Sequence, residues 1–218
     1  MQKSFPAAGC DMAKKYRAKR AGKLSPLGAA LAVVAALALL AAAGWLIFRY
    51  AGLSGRYAYP VKYRREIMEA SAEYSLPPCL VASVVNTESG FDPNAVSPVG
   101  AVGLMQLLPS TAEWIAGMRG MEFEEQRLYE PAYNIDMGCW LLSYMLKRYD
   151  GNLRYALIAY NAGHGALEKW LADPAYLDEN GELAVIPYNE TRNYVDKIEK
   201  AIIQYEKLYG EQLEKADD

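Results

Sequence analysis

The 218-residue chain is long enough for one domain of ordinary size plus an appendage, and a composition 52% hydrophobic and 22% charged suits a packed protein rather than a disordered one. The net charge of −3 hides an asymmetry: residues 1–49 hold eight of the 23 bases and one of the 26 acids, which leaves 15 bases against 25 acids, near −10, for residues 50–218. A part that acidic lacks the clustered Lys and Arg that phosphate binding needs, which excludes nucleic acid as a partner and leaves neutral polymers such as glycans.

The first element in chain order is a basic segment over residues 1–26, followed by an apolar run. Leu27 to Phe48 carries no charge and no polar side chain apart from the indole N–H of Trp45. About 20 such residues span a bilayer core. The preceding Lys14, Lys15, Arg17, Lys19, Arg20 and Lys23 favour a cytoplasmic N-terminus. The pattern predicts a single-pass transmembrane helix over 27–48, with Trp45 and Tyr50 at an outer aromatic belt and the rest of the chain extracytoplasmic. Ala41-Ala42-Ala43 offers a signal-peptidase site, but the apolar run continues to Phe48, longer than a signal peptide needs, so an uncleaved anchor is the preferred reading. Cys10 after Ala7-Ala8-Gly9 is no lipoprotein site, because the apolar segment follows it instead of preceding it.

Residues 49–60, with Gly52, Gly55 and Pro60, predict a linker, and helical periodicity dominates from there. Tyr63, Ile67, Ala70 and Tyr74 mark one helix. Pro77-Pro78 ends it and opens the next, whose apolar face is Leu80, Val81, Val84 and Val85. Residues 89–109 break the pattern with Gly90, Pro93, Pro98, Gly100, Gly103 and Pro109. Ser110-Thr111-Ala112-Glu113 then predicts a capping box. Ile135, Gly138, Cys139, Leu142, Leu146 and Tyr149 define a further helix, and Leu153, Ala156, Leu157 and Tyr160 a short one. Tyr194, Ile198, Ala201, Ile202, Tyr205 and Leu208 define the last, before an acidic tail over 211–218. A small hairpin around 176–187 is the one β element expected, so the predicted class is mainly α. Cys79 and Cys139 fit either a disulfide or two buried thiols, the second being preferred. His164 is the single histidine, and no Gly-x-Ser-x-Gly elbow accompanies it.

Glu88 is the candidate catalytic residue. It lies four residues after Val84 and seven after Val81, at the end of an apolar stripe, and Gly90 then breaks the helix. A carboxyl in apolar surroundings resists ionisation and suits a general acid. An ordinary solvent-facing glutamate in a last helical turn is the plainer alternative.

The surrounding segments add specificity. In order they are Glu88-Ser89-Gly90-Phe91-Asp92-Pro93, Ser97-Pro98-Val99-Gly100-Ala101-Val102-Gly103-Leu104-Met105-Gln106 with Pro109, Asn134-Ile135 with Gly138, Ala159-Tyr160-Asn161-Ala162-Gly163, and Ile186-Pro187-Tyr188 followed by Glu190-Thr191-Arg192-Asn193-Tyr194-Val195. This ordered set resembles the soluble lytic transglycosylase catalytic domain, a goose-lysozyme-like fold, over residues 63–208, within an expected catalytic domain at 61–210. The resemblance implies that Glu88 is the sole catalytic glutamate. It implies that Ser97, Met105, Gln106, Tyr160, Asn161 and Glu190 bind substrate. It further implies a bacterial enzyme that cleaves the β-1,4 bond between N-acetylmuramic acid and N-acetylglucosamine and leaves 1,6-anhydro ends, with no metal or cofactor. The expected partners are peptidoglycan strands, the cell membrane through the N-terminal helix, and a wall-spanning protein complex. Residue by residue, plainer roles remain: Gly100 and Gly103 as turn residues, Met105 as core, Ser97 as a turn former, Asn161 and Gly163 as helix caps, Glu190 as a first-turn acid. Two other functions compete. A hydrolytic goose-type muramidase would need Asp92 or Glu190 to activate water. A silent peptidoglycan-binding scaffold would have no need of an intact acid.

Overall fold

A computed structural model describes residues 25–214. The basic cluster from Lys3 to Lys23, Cys10 and residues 215–218 of the expected acidic tail lie outside the described residues. The chain divides into two compact units, residues 1–51 and 52–218.

Helix α1 spans Pro26–Ala58 and crosses the division. Its described side chains from Leu31 to Phe48 are all exposed, which in water would leave a row of large apolar groups unburied. The helix is long and apolar enough to cross a membrane. It runs on through the expected linker as far as Ala58, because nothing in residues 49–58 stops a helix before Pro60.

The second unit is built from seven further α-helices among the described residues: α2 (Arg64–Tyr74), α3 (Pro78–Ser89), α4 (Pro109–Arg119), α5 (Pro131–Arg148), α6 (Leu153–Ala162), α7 (His164–Leu171) and α8 (Asn189–Glu214). Single 3-10 turns occur at Glu125–Tyr129 and Pro174–Tyr176. The mainly α class holds: among the described residues the β contacts are isolated bridges only. Proline opens α3, α4 and α5 at the first turn, where its missing N–H costs nothing and its fixed φ suits the helix. Asn152 caps α6 by accepting from the Tyr155 amide at 3.1 Å.

The α3–α8 contact is the most extensive in the unit, and α5 packs against both α2 and α6. Val81, Val84 and Val85 of α3 meet Val195 and Ile198 of α8 in one core with Ile135, Met137 and Leu142 of α5. Each such side chain contributes about 1.5–3 kcal/mol on burial. The segment before α2 is tied to α8 as well: Tyr59 meets Tyr205 edge-on at 5.7 Å, and the Tyr205 hydroxyl donates to the Pro60 carbonyl at 2.8 Å.

Four further expectations change. The capping box at Ser110 does not form: Pro109 starts α4, Leu108 takes the cap position, and no side chain bonds there. The hairpin around 176–187 shrinks to one bridge between Leu177 and Leu183. Helix α7 is additional to the sequence pattern. Helix α8 starts five residues earlier than its apolar spacing marks and extends into the expected tail. Cys79 and Cys139 are both buried and no disulfide joins them, and burial pushes the Cys139 thiol well above its usual range, as expected of an inert core thiol.

Candidate active site

Glu88 occupies the last turn of α3, and Gly90 and Phe91 then adopt φ of 60° and 65°. Two consecutive left-handed residues turn the chain sharply, end the helix and bury the Phe91 ring. The Ser89 hydroxyl ties this end down, lying 3.1 Å from the Val85 carbonyl and 2.9 Å from the Leu104 carbonyl. Glu88 is therefore held by a helix on one side and by the 95–107 loop on the other.

That loop is a rigid wall. Val102 and Leu107 exchange backbone hydrogen bonds at 2.9 and 3.1 Å, Ser97 donates its amide to Ala101 at 2.9 Å, and Gly103 to Ala95 at 2.9 Å. The fully buried Asn134 of α5 clamps it. Its Oδ1 accepts from the Met105 amide at 2.7 Å, and its Nδ2 donates to the carbonyls of Val102 at 3.0 Å and Leu128 at 2.8 Å. Gly103 has φ 81°, and a Cβ there would collide with Asn134 and the Leu128 carbonyl. A Cβ on Gly138 would collide with the Met105 side chain. Both glycines are required by close approach, not by loop flexibility.

The loop, α6 and the start of α8 enclose a cavity of about 220 Å³. Glu88, Ser97, Gln106, Tyr160, Asn161 and Glu190 all line it, so six of the seven residues singled out from sequence converge on one site. Met105 does not. Its side chain is fully buried over Gly138, and it reaches the site through its carbonyl, which accepts from the Tyr160 hydroxyl at 2.8 Å. The core-filler role is the one its side chain fills. Ser97 and Gln106 combine both roles. The Ser97 Oγ accepts from the Ala101 amide at 3.0 Å, and the Gln106 Nε2 donates to Ala95 and Gly103 carbonyls at 3.1 and 2.9 Å, yet both residues face the cavity. Asp92 does not line it: exposed, it holds a turn by accepting from the Asn94 amide at 2.9 Å.

Burial pushes the Glu88 carboxyl up to about 7, against a weaker downward pull from the Tyr194 hydroxyl. No cation among the described residues pairs with it. Tyr194 is buried in α8 where α8 faces α3, and its hydroxyl has no well-aligned hydrogen bond, Glu88 being the acid that acts on it most strongly. Tyr160 likewise feels the Glu88 charge, and burial holds its phenol far above its usual range, so it stays protonated. The chemistry on offer is a carboxylic acid that keeps its proton up to about neutrality, with two phenols near enough to feel its charge.

A family model for the transglycosylase SLT domain matches residues 65–182. This chain belongs to the transglycosylase SLT family. Among its relatives, the soluble lytic murein transglycosylase of Escherichia coli K12 is 30% identical over 154 residues, 69% of this chain and 23% of that protein. The membrane-bound lytic murein transglycosylase C of Haemophilus ducreyi is 35% identical over 166 residues, 66% of this chain and 45% of that protein. Among solved structures, the 70 kDa soluble lytic transglycosylase of Escherichia coli superposes with a TM-score of 0.66 at 29% identity, covering 72% of this chain and 26% of that one. An inactive glutamate-to-glutamine mutant of Pseudomonas aeruginosa Slt gives 0.62 at 33% identity, covering 69% and 25%. The chain thus spans about a quarter of the soluble relatives' length and under half of the membrane-bound one's.

The SLT fold places two contributors that the sequence pattern left without a role. Asn134 stood in a quoted motif, but its clamp joins residues 29 and 32 positions apart, which no local spacing reveals. Tyr194 stands both in the last quoted motif and on the apolar face of the last helix, and neither gives its hydroxyl a role. The available signal was a hydroxyl on a face otherwise made of Val195, Ile198 and Ala201.

Proposed function

We propose that the chain is a membrane-anchored peptidoglycan lytic transglycosylase. The observation that carries this reading is Glu88: a carboxyl kept protonated near neutrality by burial, in a cavity where the other acid, Glu190, is solvent-exposed. A hydrolase of the two-carboxylate kind needs a second acid set to activate water or attack the sugar. A lytic transglycosylase does not, since the substrate supplies its own nucleophile. The relatives' names, lytic murein transglycosylases in both soluble and membrane-bound forms, support the same chemistry.

In this mechanism Glu88 gives its proton to the glycosidic oxygen between N-acetylmuramic acid and N-acetylglucosamine as the bond from that oxygen to C1 breaks. The substrate's N-acetyl group helps to stabilise the cationic sugar, with Ser97 at the cleft wall beside it. The ionised Glu88 then takes the proton of the sugar's C6 hydroxyl while that oxygen bonds to C1. The product carries a 1,6-anhydro end, and Glu88 is again protonated. Helix α1 is the anchor, with the N-terminus cytoplasmic and residues 61–210 acting on the wall outside.

The test is mass spectrometry of muropeptides released from purified peptidoglycan by the full chain in detergent. Anhydro ends, lighter than hydrolysed ends by one water, are expected, with a loss of roughly 10²-fold or more for Glu88→Gln. Release of hydrolysed reducing ends alone would sink the reading in favour of a muramidase. Equal release by Glu88→Gln would remove Glu88 from its role.

A further inference from the structure

The charge of residues 50–218 is itself unevenly spread. Arg56, Lys62, Arg64 and Arg65 fall within ten residues that hold no acid, and the 11 bases beyond them face all 25 acids. The strip begins eight residues after Phe48, where the apolar run of α1 ends. Three of its points are tied to α8. The Arg56 guanidinium lies 5.6 Å from the centre of the Tyr209 ring, the Tyr205 hydroxyl donates to the Pro60 carbonyl at 2.8 Å, and Arg64 donates to the Gln212 carbonyl. Held this way, the side chains of Arg56, Lys62 and Arg65 stay exposed. Arg65, 78% exposed, has Glu66 at 3.3 Å and Glu69 at 3.9 Å. Ion pairs that open to solvent are weak, so Arg65 can exchange its partners for an outside anion. Tyr57, between Arg56 and Lys62 in the chain, is 92% exposed.

An exposed phenol among exposed bases suits a bilayer interface, where rings settle at headgroup level and bases meet phosphates. Four bases are too few for the phosphate array of a nucleic acid duplex. An anionic bilayer needs no fixed array, since each base near its surface adds its own attraction. We propose that residues 56–65 form a docking surface for the phosphate headgroups of an anionic bilayer, holding the domain against the membrane that α1 enters. The proposal rests on the anchor reading of α1 above. The rest of the domain, with 25 acids to 11 bases, is repelled by such a surface. Attraction at the strip and repulsion elsewhere together fix which edge of the domain meets the lipid.

The test follows acylation of Lys62 by a water-soluble amine reagent. The full chain is reconstituted in nanodiscs of phosphatidylcholine alone or of phosphatidylcholine with phosphatidylglycerol. Peptide mass spectrometry reads each lysine separately, and Lys147 and Lys169, exposed on α5 and α7, serve as internal references. Lys62 should be labelled about fivefold more slowly in the anionic discs, with the references unchanged. The protection should disappear in high salt and in the double variant Arg56→Gln/Arg65→Gln. Equal Lys62 labelling in the two kinds of disc overturns the proposal. So does equal slowing at all three lysines, which would be a bulk effect of disc charge. So does equal protection by inorganic polyphosphate added to phosphatidylcholine discs, which would make the strip a site for soluble polyanions. A chain that fails to co-elute with either disc refutes the anchor instead. Its co-sedimentation with phosphatidylglycerol vesicles then decides the strip by itself: weaker binding by the double variant supports it, and unchanged binding overturns it.

Discussion

Glu88→Gln should stabilise the folded domain at alkaline pH and leave it little changed in acid. The folded-state carboxyl titrates near 7 against 4.5 for the free group. Between those values the folded chain holds a proton that the unfolded chain has released. The stability tied to that proton is fully present below about pH 4.5, declines as pH rises through about 7, and is flat beyond. At about 1.4 kcal/mol per unit, the parent should lose about 3 kcal/mol across that window, and a neutral isostere avoids the loss. Urea unfolding of parent and variant, followed by near-ultraviolet circular dichroism, would be compared at about pH 4 and about pH 8. The gap between the two proteins should widen by about 3 kcal/mol toward alkaline pH. A gap that stays constant with pH would refute the argument that burial holds the proton on Glu88.

Further outcomes are expected on the same physical grounds. The kcat/KM of the parent should fall as pH rises through about 7, where Glu88 gives up its proton. In Tyr194→Phe that descending limb should move to higher pH, because the hydroxyl favours the ionised carboxylate; an unmoved or lowered limb would remove Tyr194 from the site's electrostatics. Asn134→Ala takes the side-chain partner from the Met105 amide and the Leu128 carbonyl and one of two partners from the Val102 carbonyl, and at roughly 1 kcal/mol or more for each bond it should cost about 2–3 kcal/mol in urea titration. Glu190→Gln should change stability by less than about 0.5 kcal/mol and weaken KM more than kcat, since the side chain is exposed at the cleft rim. If instead its kcat falls as far as that of Glu88→Gln, the enzyme uses two carboxylates and the hydrolytic mechanism applies.

What the sequence disclosed depended on how local the physics was. The spacing of Val81, Val84 and Glu88, cut off by Gly90, is contained in one helix, and the structure agrees with it. Proline located the start of α3, since φ is set within the residue. The capping box failed for the same reason: Pro109 fixes the first turn, which puts Ser110 inside the helix, where its hydroxyl cannot cap. Helix α7 escaped because it has eight residues, with Leu167 and Trp170 its buried positions. The clamp by Asn134, the burial of Met105 and the approach of Tyr194 to Glu88 all depend on elements distant in the chain, and no periodicity encodes them.

The scaffold bonds of the cleft residues are compatible with the substrate-binding roles proposed for them. Each wall residue commits part of its hydrogen-bonding capacity to the scaffold, and the part left over decides what it can offer a ligand. Ser97 Oγ accepts from Ala101 and so retains its proton to donate. Gln106 spends its amide N–H groups on Ala95 and Gly103 and retains its carbonyl. Tyr160 spends its proton on Met105 and retains its lone pairs. Glu190 adds a carboxylate at the rim. The wall is thus rich in acceptors, which suits a ligand covered in hydroxyl and amide N–H donors, and it has the Ser97 proton for an acyl carbonyl. Since those bonds are made among the loop, its clamp and α6, the cavity wall is set before a ligand arrives, and under the proposed mechanism Glu88 would give up its proton with little reorganisation of its surroundings.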